Sequence, residues 1–288
     1  MPLNLFAICG NPGVTTVKRV AVSADVQQEL DPYFDVLEDL FRRDVVEEIE
    51  FDGRWKPDAD QAMVVDATAE AQSIFQQVGA EALAVEQMPA ANFENEAIRA
   101  LAVKKGEGDQ QRVLLQAFSS QQRLSRKFAL TLHGDTFNRL TASSFAIDTQ
   151  IHAIIEGGQV KFKSFNMAKR ILNLADLYSE ATNKDIEEIC DLPNVSADLD
   201  KIIEVANPTL RKLMSAVKKS NVLSDNTADQ IRQKAMGVTL DIVIEEGKVK
   251  LPDTRKELRT LFSFLDHGIY MSPVSNVRFI TNSRRALP

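Results

Sequence analysis

The sequence has few cysteine and histidine residues, and each shortage excludes a class of protein. Its 288 residues include two cysteines, three histidines and one tryptophan. Cys9 and Cys190 lie far apart, so they form no disulfide framework and indicate a reducing compartment. The histidines are scattered, and no Cys/His spacing matches a zinc site. We therefore expect neither a bound metal nor a cofactor.

Long apolar runs are also absent. No stretch approaches the roughly 18 apolar residues that cross a bilayer. The opening residues carry no basic segment ahead of their apolar stretch, which a secretion signal would have. With 44% apolar and 26% charged residues, the composition is typical of a globular protein. We expect a cytoplasmic protein whose contact with a membrane requires a partner.

The sequence is rich in acidic residues, and they are unevenly placed. Residues 1–120 contain 10 Lys/Arg against 21 Asp/Glu, whereas residues 121–288 contain 24 against 20. The acidic excess lies between Asp25 and Glu70, where 15 acidic residues face 4 basic ones. Surfaces of opposite sign are typical of a protein with two kinds of partner. An ordinary acidic protein with an uneven sequence is the alternative.

Short apolar runs and helical periodicity alternate without regular βαβ units, which predicts the α+β class. Helical spacing begins near Ser23, with Pro32 as a candidate kink, and dominates residues 166–236. The polar segment Ser119–Arg126 predicts a linker. It would separate an acidic domain of mixed sheets and hairpins, residues 1–122, from a domain of strands plus a helical segment, residues 127–288. Four turn sequences predict hairpins: Gly10–Gly13, Gly106–Gly108, Gly157-Gly158 and Glu245–Gly247.

Two catalytic motifs are only partly present. Cys9–Thr16 resembles a nucleotide-binding loop, but it lacks the lysine that neutralises phosphates, and a β-branched run follows it. This favours a hairpin turn. Asp241, Glu246 and Lys248 are the residue types of a metal-dependent nuclease. Since Glu246 lies at a predicted hairpin tip, facing away from Asp241, we predict no catalytic residue and keep a nuclease as an alternative.

Basic residues give a broader signal. Arg211 and Lys212 lie seven residues before Lys218 and Lys219, so the two pairs repeat along one helix face. A second group, Arg255, Lys256 and Arg259, lies one turn apart on a later helix. Converging cations contact phosphates without reading bases, whereas solvated faces paired with acids are the alternative. The candidate phosphate contacts are Lys218, Lys219, Arg284 and Arg285, followed by Lys169, Arg170, Arg211 and Lys212.

The acidic stretch allows several interpretations. The first is a solvated face, and the second is a surface that repels nucleic acid from one side. The third is a binding surface for a basic partner such as a Lys/Arg-rich cytoplasmic loop. The sequence leaves these open for Glu38, Asp39, Asp44, Glu47, Glu48 and Glu50.

Three segments, taken in order and spacing, resemble a known family. Residues 48–66 read EIEFDGRWKPDADQAMVVD, a strand, an FDG turn and a second strand. Residues 151–172 read IHAIIEGGQVKFKSFNMAKRIL, and residues 258–287 contain a helix ending in LFSFLDH and then SNVRFITNSRRAL. Together they resemble the KwaB family, the B subunit of the Kiwa anti-phage defence system.

The resemblance implies a bacterial cytoplasmic protein, peripheral at the inner membrane through a small membrane-embedded A subunit. It also implies a homodimer that binds double-stranded DNA with little sequence preference, and it supplies no catalytic residues. The Ala-rich stretch 67–102 and the acidic first half depart from the family, so the partner-binding surface is left open. The alternatives are a metal-dependent nuclease of a defence system and an adaptor for a membrane partner that does not bind DNA.

Overall fold

The computed structural model describes residues 3–51, 53, 57–89, 92–124, 127–174 and 180–281. These residues form helices and strands in several sheets, so the predicted α+β class is confirmed. The chain divides into two compact units, the first made of residues 1–51 and 57–175 and the second of residues 52–56 and 176–288.

A large sheet forms the centre of the first unit. The strands of this unit are β1 Leu5–Cys9, β2 Thr16–Val20, β3 Glu47–Glu50, β4 Gln61–Asp66, β5 Ile98–Lys105, β6 Arg112–Ala117, β7 Leu130–His133, β8 Thr136–Arg139, β9 Ala153–Glu156 and β10 Gln159–Phe162. In the described residues, eight of them pair in the order β2-β1-β5-β6-β9-β10-β4-β3. Neighbours are antiparallel except β3 and β4, which are parallel. Strands β7 and β8 form a separate two-stranded sheet.

The segment Ser119–Arg126, which the sequence predicts as a linker, belongs to the first unit. The reason is strand pairing across it, because β9 pairs with β6 and β10 pairs with β4. The short runs after residue 150 therefore complete the sheet that the acidic half begins. The division between units falls instead at residues 175 and 176.

The predicted hairpins of the first unit are present, and their turns have suitable backbone conformations. Strands β1 and β2, β5 and β6, and β9 and β10 pair antiparallel as neighbours. Gly157 and Gly158 both have positive φ, at 57° and 77°. A two-residue turn with positive φ at both positions matches the twist of the strands it joins. Glycine therefore fixes this hairpin locally.

Helices cover both faces of the sheet. They are α1 Ala24–Arg43, α2 Ala69–Gly79 and α3 Phe165–Ile171. Helix α1 continues through Pro32 because apolar residues on both sides of it, Leu30 and Phe34, are buried. Its buried stripe packs with β1, β5, β6 and β9 in one core cluster. Helices α2 and α3 pack on β5 and β6, and alternation of strand side chains places them on the opposite face.

A β-bulge at Arg99 breaks that alternation. The register of β1 against β5 shifts so that Cys9 pairs with Ile98 and Ile8 with Ala100. Because a bulge re-aims the extra side chain, Ile98 joins the α1 core while Arg99 turns toward α2 and α3. There its guanidinium group binds Glu70 at 2.6 Å, and the side chains of both are only 8% exposed.

The Arg99–Glu70 pair holds the turn between β1 and β2. Arg99 donates to the carbonyls of Cys9, Gly10 and Asn11 at 3.0–3.2 Å. Glu70 accepts from the Gly13 amide at 2.7 Å. The segment that resembles a nucleotide-binding loop is therefore a hairpin turn. Its backbone is hydrogen-bonded to the protein's own charged side chains, Arg99 and Glu70.

Ion pairs fasten α1 to successive strands of the sheet. Lys105 of β5 binds Asp31 and Asp35 of α1 at 2.6 Å each. Arg112 of β6 binds Glu38, which is 95% buried, at 2.5 Å. Asp31 and Asp35 are thus ion-paired while partly exposed, whereas Glu38 is buried with its cationic partner and is not part of a solvated face.

The series of ion pairs between α1 and the strands continues toward the β3 edge of the sheet. Arg42 of α1 joins Glu38 to Glu156 of β9, and Lys161 of β10 joins Glu156 to Glu48 of β3. Of the six acidic residues whose role was left open, Glu38 and Glu48 are therefore ion-paired. Glu47 accepts from Gln61, whereas Asp39, Asp44 and Glu50 are exposed.

The charge split changes meaning when it is counted by unit. The first unit contains 16 Lys/Arg against 23 Asp/Glu, and the second contains 18 against 18. Residues 121–175 supply 8 basic against 3 acidic residues, and they belong to the acidic unit. The basic residues of 121–175 thus offset only part of the acidic excess of the first half, and the first unit remains acidic.

The second unit has its own core of helices with short strands. Its elements are α4 Asn183–Cys190, β11 Val195–Ser196, α5 Leu199–Val205, α6 Pro208–Lys219, α7 Ala228–Met236, β12 Ile244–Glu245, β13 Lys248–Lys250, α8 Arg255–Leu265, β14 Ile269–Met271 and β15 Arg278–Ile280. Asn207 and Thr254 cap α6 and α8. In the part of the chain that the structure describes, no helix is long and apolar enough to span a bilayer.

We predict that Arg99→Leu lowers the free energy of unfolding of the first unit by about 3–5 kcal/mol, because it leaves the buried carboxylate of Glu70 without its cation. Urea unfolding followed by circular dichroism measures this change. Lys127→Ala, at an exposed residue of the same unit, should change the free energy by less than about 0.5 kcal/mol. Equal effects of the two substitutions would show that the buried pair does not stabilise the unit.

Candidate nucleic-acid interface

Four of the predicted phosphate contacts lie on α6. The first of them, Arg211, is hydrogen-bonded to groups of the protein itself. Arg211 donates to the backbone carbonyls of Ala206 and Ala181 at 3.1 and 2.8 Å, and to the side chain of Asn183 at 2.7 Å. Each of its nitrogens thus has an acceptor. Arg211 ties the start of α6 to the segment before α4.

Lys218 is held by two carboxylates. Its Nζ lies 2.5 Å from both Asp185 and Glu188 of α4. Hydrogen bonds from Lys218 and then Thr182 lower the pKa of Asp185 to about 2. A DNA phosphate would have to displace these acids to bind Lys218, so its position favours a structural role.

The remaining predicted residues are dispersed. Lys212 lies 3.9 Å from Glu180, and Lys219 is exposed at the end of α6. Lys169 and Arg170 are exposed on α3 and so belong to the first unit. Arg284 and Arg285 lie outside the described residues. Within one unit, the structure therefore groups only the four residues of α6.

A cavity with a cationic wall lies where α6 and α8 begin. Its volume is about 320 Å³, and it is lined by Asn207, Thr209, Leu210, Arg255, Lys256 and Arg259. The two helices pack against each other through buried apolar side chains. Asn207 caps the start of α6 and Thr254 caps the start of α8, and both starts lie at the same end of the helix pair. The first residues of α6 and three cations of α8 thus line one cavity.

The three cations of α8 differ from Lys218 in their partners. Arg255 donates one N–H to the carbonyl of Val205 at 2.9 Å. Among the described residues, none of Arg255, Lys256 and Arg259 has an acidic partner within ion-pair distance. All three are exposed. They are therefore able to accept an anion without first losing an ion pair.

Two of the nuclease residues, Glu246 and Lys248, lie in the hairpin of β12 and β13. Glu246 has φ of 50° in the turn between β12 and β13, and the neighbouring Glu245 binds Lys250 at 2.7 Å. In the described ranges, no group of three or more His, Cys, Asp or Glu side chains is placed to hold a metal ion. The geometry offers no argument for a metal centre at Asp241.

Comparison with protein families adds an independent line of argument. The family model for Kiwa protein KwaB-like matches residues 95–275, which is more than half of the chain. The chain belongs to the KwaB-like family. No curated protein and no solved structure matches it. Family membership makes the protein a component of Kiwa anti-phage defence, and the match includes all of α6 and α8.

Sequence reasoning noted Arg255, Lys256 and Arg259 but did not place them among the candidate contacts. Two local signals mark the cavity: Asn207-Pro208 and Thr254 are helix-start residues, and the cations follow the second start directly. That the two starts meet depends on the packing of helices far apart in sequence. No local pattern reports that packing.

We predict that Lys218→Ala raises the pKa of Asp185 from about 2 toward its usual value of 3.8, because its main hydrogen-bond donor is lost. Since the folded-state pKa is depressed, the pair's stabilisation is present above about pH 4 and is lost as the pH falls toward 2. Carboxyl-detected NMR titration measures the pKa. Lys234→Ala, which removes the same charge from α7, should leave it unchanged, and an unshifted value in Lys218→Ala would contradict the ion pair.

Proposed function

We propose that this KwaB-like protein acts in anti-phage defence by binding double-stranded DNA with little sequence preference. The observation that carries the proposal is the cavity at the start of α6 and α8, whose three cations have no acidic partner in the described part of the chain. Cations and helix N-terminal N–H groups are the groups that bind phosphates. Contacts to the phosphate backbone position a protein on DNA without reading bases, which accounts for weak sequence preference.

The remaining candidate contacts are Lys212 and Lys219 of α6, Lys169 and Arg170 of the first unit, and Arg284 and Arg285. We expect Lys218 to contribute less than the α8 cations, because two carboxylates already hold it.

We further propose that the protein is a cytoplasmic homodimer that reaches the inner membrane through a small transmembrane partner subunit. The exposed acids Asp39, Asp44 and Glu50 support this, since cytoplasmic loops of membrane proteins are enriched in Lys and Arg. An adaptor that docks such a loop and does not bind DNA is the second candidate, favoured by the same acids. The DNA-binding test below separates the two.

We predict that replacing Arg255, Lys256 and Arg259 together by alanine weakens binding to a duplex of random sequence. Affinity should fall on the order of tenfold or more at low salt. The slope of log affinity against log salt should become shallower by up to about 2.7, at about 0.9 for each lost phosphate contact. Fluorescence anisotropy at several salt concentrations measures both quantities.

The matched control replaces Arg232, Lys234 and Lys248, three exposed cations of the same unit that do not line the cavity. It removes the same total charge, so a general electrostatic effect would weaken both variants equally. A loss confined to the cavity variant supports the proposal. If the unaltered protein does not bind the duplex at low salt, the adaptor is favoured. If the protein degrades the duplex in the presence of Mg²⁺, a nuclease is favoured.

A further inference from the structure

The hairpin formed by β7 and β8 is exposed on both faces, and no other described strand pairs with it. Every residue of its two strands is exposed. Its base is held firmly: the Leu124 amide donates to Ser144 at 2.8 Å, and the Ala146 amide donates to Gln122 at 2.9 Å. The first unit thus presents a fixed arm that its own core does not cover.

One face of this arm is apolar. Leu132 pairs with Phe137 and Leu130 pairs with Arg139, so these four side chains share one side of the hairpin. Leu130, Leu132 and Phe137 are 54–64% exposed. The opposite side carries polar residues such as Thr131 and Asn138. An isolated two-stranded sheet is marginally stable in water, and a clustered apolar face on it is typical of an interaction site.

The charges of the arm are separated along its length. Asp135 lies at the tip, in the two-residue turn, whereas Arg139 and Lys127 lie at the base. Strands of four residues separate the two ends by roughly 13 Å. Arg139 lies 5.3 Å from the centre of the Phe128 ring, which keeps its charge on the apolar side.

We propose that this hairpin is the surface through which two copies of the chain associate, apolar face against apolar face and antiparallel. A two-fold axis brings each surface against itself. In the antiparallel arrangement, Asp135 of one copy lies beside Arg139 of the partner subunit, and both such contacts are attractive. The polar faces remain in water.

The charges favour a second copy over a lipid surface. A hairpin that enters an anionic membrane by its tip would bring Asp135 to the anionic headgroups, which oppose it. A second copy instead supplies the cation that Asp135 lacks among the described residues. The proposal assigns a surface to the homodimer proposed above, and it does not rest on DNA binding.

The test uses two charge reversals, Asp135→Lys and Arg139→Glu, in the full-length protein without DNA. In a homodimer of either variant, both tip-to-base contacts become repulsive, and we expect the dimer dissociation constant to rise on the order of tenfold or more. In an equimolar mixture, the Lys at 135 meets the Glu at 139, and Asp135 meets Arg139. Sedimentation velocity should therefore show that the mixture regains dimers.

Leu132→Ser with Phe137→Ser provides a second measurement. Both side chains are exposed in a single copy, so the double variant should keep its circular dichroism spectrum while losing dimers. Arg43→Glu, a charge reversal at an exposed residue of α1, should leave the dimer unchanged.

Three outcomes would overturn the proposal. The unaltered protein sediments as a monomer, the reversals leave its dimer intact, or the mixture stays monomeric. If dimers form but do not depend on the hairpin, the two copies associate through another surface. Hairpin-dependent sedimentation of the monomer with anionic vesicles would assign the face to lipid. None of these results bears on the anisotropy titration, so failure of this proposal is distinguishable from failure of DNA binding.

Discussion

The buried ion pair between Arg99 and Glu70 is the constraint on which the first unit depends. Arg99 is placed by a bulge in a central strand, and Glu70 begins a helix on one face of the sheet. Between them they bind the β1–β2 turn, the carbonyl of Ile171 and the amide of Asn173. A buried charge without these partners would be costly, so the turn and both helices are fixed relative to the sheet by one pair.

Among the described residues, ion pairing distinguishes two kinds of cation. In the first unit, Lys105, Arg112 and Lys161 neutralise acids of α1 and its neighbouring strands, and they hold the fold. In the second unit, Lys218 does the same for α4. Among the residues that the structure describes, the cations of α8 lie beside a cavity and have no acidic partner. Pairing, rather than the number of basic residues in a segment, therefore indicates where an anion is able to bind.

Local sequence signals predicted the local structure of this protein and little of its long-range pairing. Gly157-Gly158 specified a hairpin, and Asn207 specified a helix start, because turn and cap geometry depend on neighbouring residues. The α+β class followed from such signals. The sequence did not indicate that β9 pairs with β6, because that pairing joins segments far apart in the chain. For the same reason, the sequence indicated Lys218 as a phosphate contact without revealing the carboxylates that hold it.

Hydrogen–deuterium exchange with and without duplex DNA tests most directly whether the cavity binds DNA. The first-turn amides of α6 and α8 lie at the cavity, and a phosphate bound there would slow their exchange. The account predicts that DNA protects peptides covering residues 207–212 and 254–260, while α1 and its ion-paired face are unchanged. Suppose that DNA binds but protects only α1 or the β7–β8 hairpin and leaves exchange at the two helix starts unaltered. That result would contradict binding at the cavity.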